Sequence, residues 1–245
     1  MKTLVAIPVY NEQQYVTTVL EQVRHYASNI LVIDDGSTDD TPSLLAKQPV
    51  DVIRHAHNGG YGRSIRDAFR WASCYKYDWL ITMDCDEQHE PASLPHFEEA
   101  IGQDDADILS GSRYLDTRRC GDPPPQDRRA INQTITELLN QRLGLSITDA
   151  FCGFKAYRVS ALQPIRIDEM GYAMPLQFWV QAAAHNLRIR EVPVRLIYND
   201  PTRSFGGPLD DAGHRLEHYT AVLNKELARF PEKYARPCQS QSTFR

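Results

Sequence analysis

The sequence predicts an α/β fold, a three-layer αβα sandwich built on a mainly parallel central sheet. Three observations predict it. Short β-rich runs alternate with segments whose apolar residues recur at helical spacing, the pattern of strands joined by crossover helices. The runs end in polar clusters, and ligands of such sheets sit beyond the carboxyl ends of the strands. With 245 residues and 42% hydrophobic content, the chain is long enough for one large domain with a substantial core.

Taken in order, residues 3–8 form a short β-rich run and residues 13–25 carry Val16, Val19, Leu20 and Val23 at helical spacing. NILVIDDGS (29–37) is a second strand ending in acid and glycine. Residues 41–47 form a short helix and VDVIRH (50–55) a third strand. NGGYGRSIRDAFRWA opens on glycines and then takes helical period, with Ile65, Ala68, Phe69 and Ala72 on one side. DWLITMD (78–84) is a fourth strand, residues 95–101 a helix and ADILSGSRY (106–114) a fifth strand. Polar clusters then share one sheet edge: Asn11-Glu12, Asp34-Asp35, Asp84-Cys85-Asp86 and Ser112-Arg113. Residues 209–230 form a helix with Leu216, Tyr219, Leu223 and Leu227 on one stripe. It either packs on the core or meets a membrane or a partner; its mixed charge argues against an anionic surface. RRCGDPPPQDRR (118–129) and the polar tail 231–245 are expected to be mobile.

Composition excludes several classes. A net charge of −5 argues against general nucleic-acid binding, which needs a positive surface. The five cysteines, Cys74, Cys85, Cys120, Cys152 and Cys238, include no CxxC pair, which points to a reduced, cytoplasmic protein without disulfides or a zinc site. The N-terminal apolar run meets Pro8, Asn11 and Glu12 too soon for a signal peptide. No stretch approaches the roughly 18 apolar residues of a membrane span, so membrane contact would be peripheral.

Asp84 and Asp86, separated by one residue at a strand end, are placed to hold a hard divalent cation whose shell is completed by substrate phosphates and water. A lone DxD is a weak signal and reads first as solvated turn residues; the metal reading gains weight here because the other polar clusters share the same edge. HNGGYGRS (57–64) is not a P-loop. Its glycines either cradle phosphate on backbone N–H groups or permit close packing.

Together IPVYNE (7–12), VIDDGSTDDT (32–41), NGGYGRSIRDAF (58–69), MDCDEQHEP (83–91), SGSRY (110–114), DAFCGFKAYR (149–158) and RIREVPVR (188–195) carry a resemblance. In their order and spacing, over roughly residues 1–200, the chain resembles family 2 glycosyltransferases of the Rossmann-like GT-A fold. Within them it is similar to the dolichyl- or polyprenyl-phosphate mannosyl- and glucosyltransferase branch. The resemblance implies a GT-A domain over 1–208, followed by the C-terminal helix. It implies a metal-dependent, inverting transfer of a hexose from a nucleotide sugar, of GDP-mannose or UDP-glucose type, to a polyprenyl-phosphate-like acceptor. That acceptor would be met at the inner face of a membrane or through a membrane partner.

Residue by residue, the resemblance puts Pro8, Tyr10 and Glu12 on the donor nucleotide, and Ile33 and Asp35 in the base and ribose pocket. Cys85 falls in the same donor-binding set. Asp84 and Asp86, assisted by Gln88, would bind Mg2+ or Mn2+ at the donor diphosphate, and Arg113 would face the phosphates or the acceptor. Asp86, Gln88 and Arg113 form the implied catalytic set. Arg128 or Arg129 matches a basic position near the acceptor phosphate. Alternatives stay open: Glu12 as a helix N-terminal acid, Asp35 as a turn cap beside Gly36, Tyr10 as packing, and Arg128 and Arg129 as solvated charges.

The chain also departs from the family pattern. FCGF (151–154) stands where relatives carry TSGF. Aligned from Glu191, Asn199 and Phe205 occupy positions where an arginine and a lysine are common; Ser204 is retained, and Arg203 is left to supply the charge. Gln177 replaces a usual glutamate. A hydroxyl acceptor needs a positioned base whereas a phosphate acceptor is already anionic, so Gln177 favours the phosphate, although Asp149 is a second candidate base. Rival readings are a glycan or small-molecule hydroxyl acceptor, and a non-catalytic nucleotide-sugar binding protein. A nucleotidyltransferase is disfavoured because IPVYNE has neither glycine nor lysine.

Overall fold

The computed structural model describes residues 1–85, 90–115, 126–195, 197 and 207–234. The strands are β1 (Thr3–Val9), β2 (Ile30–Asp34), β3 (Asp51–Arg54), β4 (Trp79–Thr82), β5 (Ile108–Ser112), β6 (Lys155–Arg158) and β7 (Ile189–Pro193). They form one sheet in the order β3-β2-β1-β4-β6-β5-β7. β1 pairs in parallel with β2 and β4, β2 with β3, and β5 with β7. Only β6, which the sequence reading did not foresee, runs against its neighbours β4 and β5.

The helices are α1 (Val16–Val23), α2 (Thr41–Leu45), α3 (Tyr61–Cys74), α4 (Leu94–Gly102), α5 (Gln126–Leu143), α6 (Met174–Ala184), α7 (Ala212–Leu227) and α8 (Pro231–Tyr234). Side chains alternate across a strand, and this alternation builds two cores. On β1, Val5, Ile7 and Val9 pack with α1, α2 and α4. Leu4 and Ala6 point the other way, to α3, α5, α6 and α7. The result is the expected three-layer αβα sandwich. Val16, Val19, Leu20 and Val23 of α1 are all buried, as are Ile65, Ala68, Phe69 and Ala72 of α3.

On α7, Tyr219, Leu223 and Leu227 are buried, and Tyr219 stacks on Phe151 at 4.9 Å between centroids. Asp211 caps the helix by accepting the His214 N–H at 2.8 Å. At the start of the expected tail, α8 is fastened by the Tyr234 hydroxyl, which donates to the Val180 carbonyl at 3.2 Å. Residues 235–245 lie outside the described residues. So do residues 116–125, while 126–129, also read as mobile, form the first turn of α5.

The sheet edge away from the polar clusters is pinned by Asp107. Its carboxylate accepts from Arg188 Nη2 at 2.9 Å, Arg188 Nε at 3.1 Å and Arg158 Nε at 3.2 Å, tying together the starts of β5 and β7 and the end of β6. The hydrogen bond from Arg188 outweighs partial burial and pulls Asp107 from the ordinary 3.8 to about 2. Because the folded value is the lower one, this stabilisation is complete above the ordinary value and is lost as pH falls through about 2. Asp107→Asn should therefore destabilise the protein at neutral pH by an amount that shrinks between about pH 5 and about pH 2. Urea midpoints of both proteins across that range check this; a constant difference would contradict it.

Candidate active site

Because β1, β2, β4 and β5 run the same way, their last residues reach one edge. Tyr10 and Glu12 follow β1, Asp35 follows β2, Asp84 and Cys85 follow β4, and Arg113 follows β5. Antiparallel β6 starts at this edge, with Lys155 opposite Thr82.

The loops after β1 and β2 are stitched together. Asn11 adopts a left-handed φ of 56°, which asparagine tolerates. Its N–H donates to Ser37 Oγ at 2.9 Å, and its Oδ1 accepts the Thr38 N–H at 2.8 Å. The Glu12 N–H donates to Thr41 Oγ1 at 2.9 Å. Tyr10 stays 45% exposed, whereas Glu12 is buried. Pro8 sits within β1, opposite Ile33.

Asp35 is buried and organises the glycine-rich loop. Its Oδ1 accepts the Gly59 N–H at 2.9 Å and contacts His55 Nδ1 at 2.5 Å; its Oδ2 accepts the Gly60 N–H at 2.7 Å. His55 Nε2 reaches Asp67 Oδ2 at 3.0 Å. The Gly62 N–H donates to the Met170 carbonyl at 2.7 Å. A Cβ on Gly60 would lie 2.3 Å from the Met170 oxygen, and one on Gly62 would lie 2.0 Å from the Glu169 oxygen. These N–H groups are thus engaged within the protein, and the glycines serve close packing against residues 169–171. Next to this loop, Gly36, Ser37, Thr38, Arg54, His55 and Ala56 line an open depression beyond β2 and β3.

Asp84 is partly exposed, and Gly153 lies against its carboxylate, so that a Cβ there would sit 2.4 Å from Asp84 Oδ2. Asp86 and Gln88, the other members of the expected metal set, lie outside the described residues, as do Arg203 and Ser204. Among the described residues no three His, Cys, Asp or Glu side chains gather as a metal cluster. A strand-end carboxylate that a glycine leaves room for, followed by a second carboxylate and an amide oxygen in sequence, fits a hard cation such as Mg2+ or Mn2+.

Arg113 is held by Asp149. Its Nε and Nη2 donate to the two carboxylate oxygens at 2.6 and 2.9 Å, and its backbone N–H adds a third bond at 3.2 Å. Asn132 Nδ2 donates to Asp149 Oδ1 at 2.9 Å. Burial alone would raise the Asp149 pKa, but the charge and hydrogen bonds of Arg113, then Asn132, hold it well below the usual carboxylate range. Asp149 is therefore a poor general base. Lys155 is 3% exposed, donates to the Cys152 carbonyl and lies 5.5 Å over the Trp179 ring; burial lowers its pKa. Arg128 and Arg129 lie in the first turn of α5, Arg128 partly buried and Arg129 exposed.

Three expectations need correction. Ile33 is 0% exposed, because strand alternation turns it into the core shared with α3. It does not line a base pocket. Cys85 is 2% exposed and packs in the core shared with α1 and α4, so its thiol does not reach the donor side. Gln177 is no vacant base position: its amide is enclosed between residues 168–169 and Glu226 of α7. Sequence reasoning also missed His55, Asn132 and Lys155, which bond the residues of this edge.

The glycosyl transferase family 2 model matches residues 4–166. An undecaprenyl-phosphate mannosyltransferase of Micrococcus luteus is 31% identical over 224 residues, covering 86% of this chain and 91% of that protein. A polyprenol monophosphomannose synthase of Mycolicibacterium smegmatis is 30% identical over 204 residues, covering 79% and 76%. Among solved structures, a Mycobacterium tuberculosis glucosyl-3-phosphoglycerate synthase in complex with Mn2+, UDP and glucosyl-3-phosphoglycerate superposes with a TM-score of 0.71 at 16% identity, covering 92% of this chain and 79% of that one. The fold is thereby GT-A-like.

Proposed function

The chain belongs to glycosyl transferase family 2 and is a hexosyltransferase; on that premise we propose that it moves a hexose from a nucleotide sugar to a polyprenyl phosphate, with inversion. One observation carries the reading: Asp84, Asp35, Glu12 and the Arg113–Asp149 pair are brought to a single sheet edge from four strands that are far apart in sequence.

In the proposed reaction an oxygen of the acceptor phosphate attacks the anomeric carbon. The bond from that carbon to the donor β-phosphate breaks, and a nucleoside diphosphate leaves. A divalent cation held by Asp84, Asp86 and Gln88 would supply positive charge at the departing diphosphate. Arg113, fixed by Asp149, presents a permanent cation near developing negative charge, a preorganised stabilisation that needs no rearrangement during the reaction. Arg128 and Arg129 open α5 as candidate contacts for the acceptor phosphate, with Arg203 and Ser204 as further candidates. The engagement of Asp149 by Arg113 favours an acceptor that arrives already ionised. The relatives named for undecaprenyl phosphate and polyprenol support the same acceptor. Among the described residues no helix is long and apolar enough to cross a membrane. A lipid-linked acceptor would then be met at a membrane surface or through a partner.

A thermal-shift panel tests the donor. GDP, UDP and their hexose conjugates are added with and without Mn2+. A ligand that binds only the folded state raises Tm by mass action, about 5–10 °C at a hundredfold excess over Kd for a chain of this size. One nucleotide should give a metal-dependent rise that Asp86→Ala abolishes. No rise with any of them would overturn the reading and favour a protein that no longer uses the site.

A further inference from the structure

We propose that Tyr172 is a donor-contacting residue, its ring backed by Tyr61 and forming a wall against which the nucleoside diphosphate lies. The inference rests on the donor reading above and deepens it. Tyr172 lies beyond residues 4–166, the span of the family match.

Its place is set by packing. Asp35 holds Gly59 and Gly60 through their N–H groups. Gly60 and Gly62 press without side chains against residues 169–171, and the Gly62 N–H bonds the Met170 carbonyl at 2.7 Å. The chain then presents Tyr172, whose ring stacks on that of Tyr61 at 6.2 Å and 15°. Tyr61 covers one face, yet Tyr172 remains 44% exposed, a large aromatic open to solvent beside an acidic edge. From behind, Gln177 Oε1 accepts the N–H groups of Asp168 and Glu169, both at 2.9 Å, so the segment is buttressed. Burial raises the pKa of its phenol, and Asp84, Glu12 and Asp35 raise it further.

The chemistry follows from that setting. Three carboxylates repel a diphosphate, whereas an aromatic side chain that is 44% exposed offers it apolar surface. Every base has a π-face, so stacking on a tyrosine supplies affinity with little discrimination between bases. Tyr172 should therefore strengthen binding of either nucleotide alike.

Calorimetric titration of the full chain with GDP and with UDP, in Mn2+, tests this on wild type, Tyr172→Ala, Tyr172→Leu and Tyr172→Phe. Loss of the ring should weaken the bound nucleotide about tenfold in the alanine and leucine variants. Phenylalanine should stay within roughly threefold of wild type with its ligand-free melting temperature unchanged, while the alanine and leucine variants, which lose the stacking on Tyr61, should stay folded and melt only a few degrees lower. If wild type binds a nucleotide and the leucine variant binds it equally well, the inference falls and the donor reading stands. If wild type binds neither nucleotide, the donor reading itself falls and takes the inference with it.

Discussion

Asp149→Ala is expected to destabilise the protein by about 3–5 kcal/mol, because it leaves a largely buried guanidinium without its partner. Asp149 is 0% exposed and the Arg113 side chain 17%. The carboxylate also accepts from Asn132 and from the Phe151 N–H at 3.2 Å, so its loss strands several donors together. Replacing both charges by apolar groups, Arg113→Met with Asp149→Leu, should recover much of that loss, since the unpaired charge rather than the lost pair dominates the cost. The recovered protein should still fail to transfer sugar, because the cation is gone. Urea denaturation measures the stabilities, and an unchanged slope shows that the same surface unfolds. Because the folded pKa of Asp149 lies well below the ordinary carboxylate value, its contribution is present above that value and is lost only as pH falls beneath it. The deficit of the alanine variant should accordingly be flat across neutral pH. Single variants that each cost less than about 1 kcal/mol would show that solvent reaches the pair and screens it.

Most strands and helices were legible because their burial is periodic. β1 alternates between two cores, and α1 and α3 each place every predicted apolar residue inside. β6 was not legible. It is four residues long, carries Lys155 and Arg158, and is stabilised by pairing with β4 and β5 rather than by any local pattern. The site was legible at the level of position. Acids that follow parallel strands share one sheet edge, as Glu12, Asp35 and Asp84 do. Side-chain direction was not legible from the motifs. Ile33 and Cys85 sit in the matching segments, but the two-residue period of the strand points both into cores. The glycine-rich loop shows the same limit. Its composition allows a phosphate cradle or tight packing, and only the bonding of its N–H groups to Asp35 and Met170 decides for packing.

Gln177→Glu should cost on the order of 3 kcal/mol at neutral pH, although it restores the glutamate that the family resemblance leads one to expect. Gln177 is 2% exposed. Its Oε1 accepts from the N–H groups of residues 168 and 169, while Nε2 donates to Asp168 Oδ1 at 2.6 Å and Glu226 Oε2 at 2.9 Å. Gln181 and Arg229 supply the remaining donors to Glu226, at 2.8 and 2.9 Å. An acid at position 177 would turn the donating end into an acceptor facing two carboxylates. Burial and like charge would raise its folded pKa above the unfolded one. The penalty is then present above the unfolded value and fades as pH falls and the group protonates. Adding Glu226→Gln should restore part of the stability, since the new amide can donate to the introduced carboxylate while still accepting from Gln181, at the loss of the Arg229 pair. A double-mutant cycle by urea denaturation measures that coupling. A Gln177→Glu protein as stable as wild type would mean that α6 and α7 part readily at this point. Otherwise the acid at 226 is what requires an amide at 177, and α7 becomes the brace for the segment that carries Tyr172.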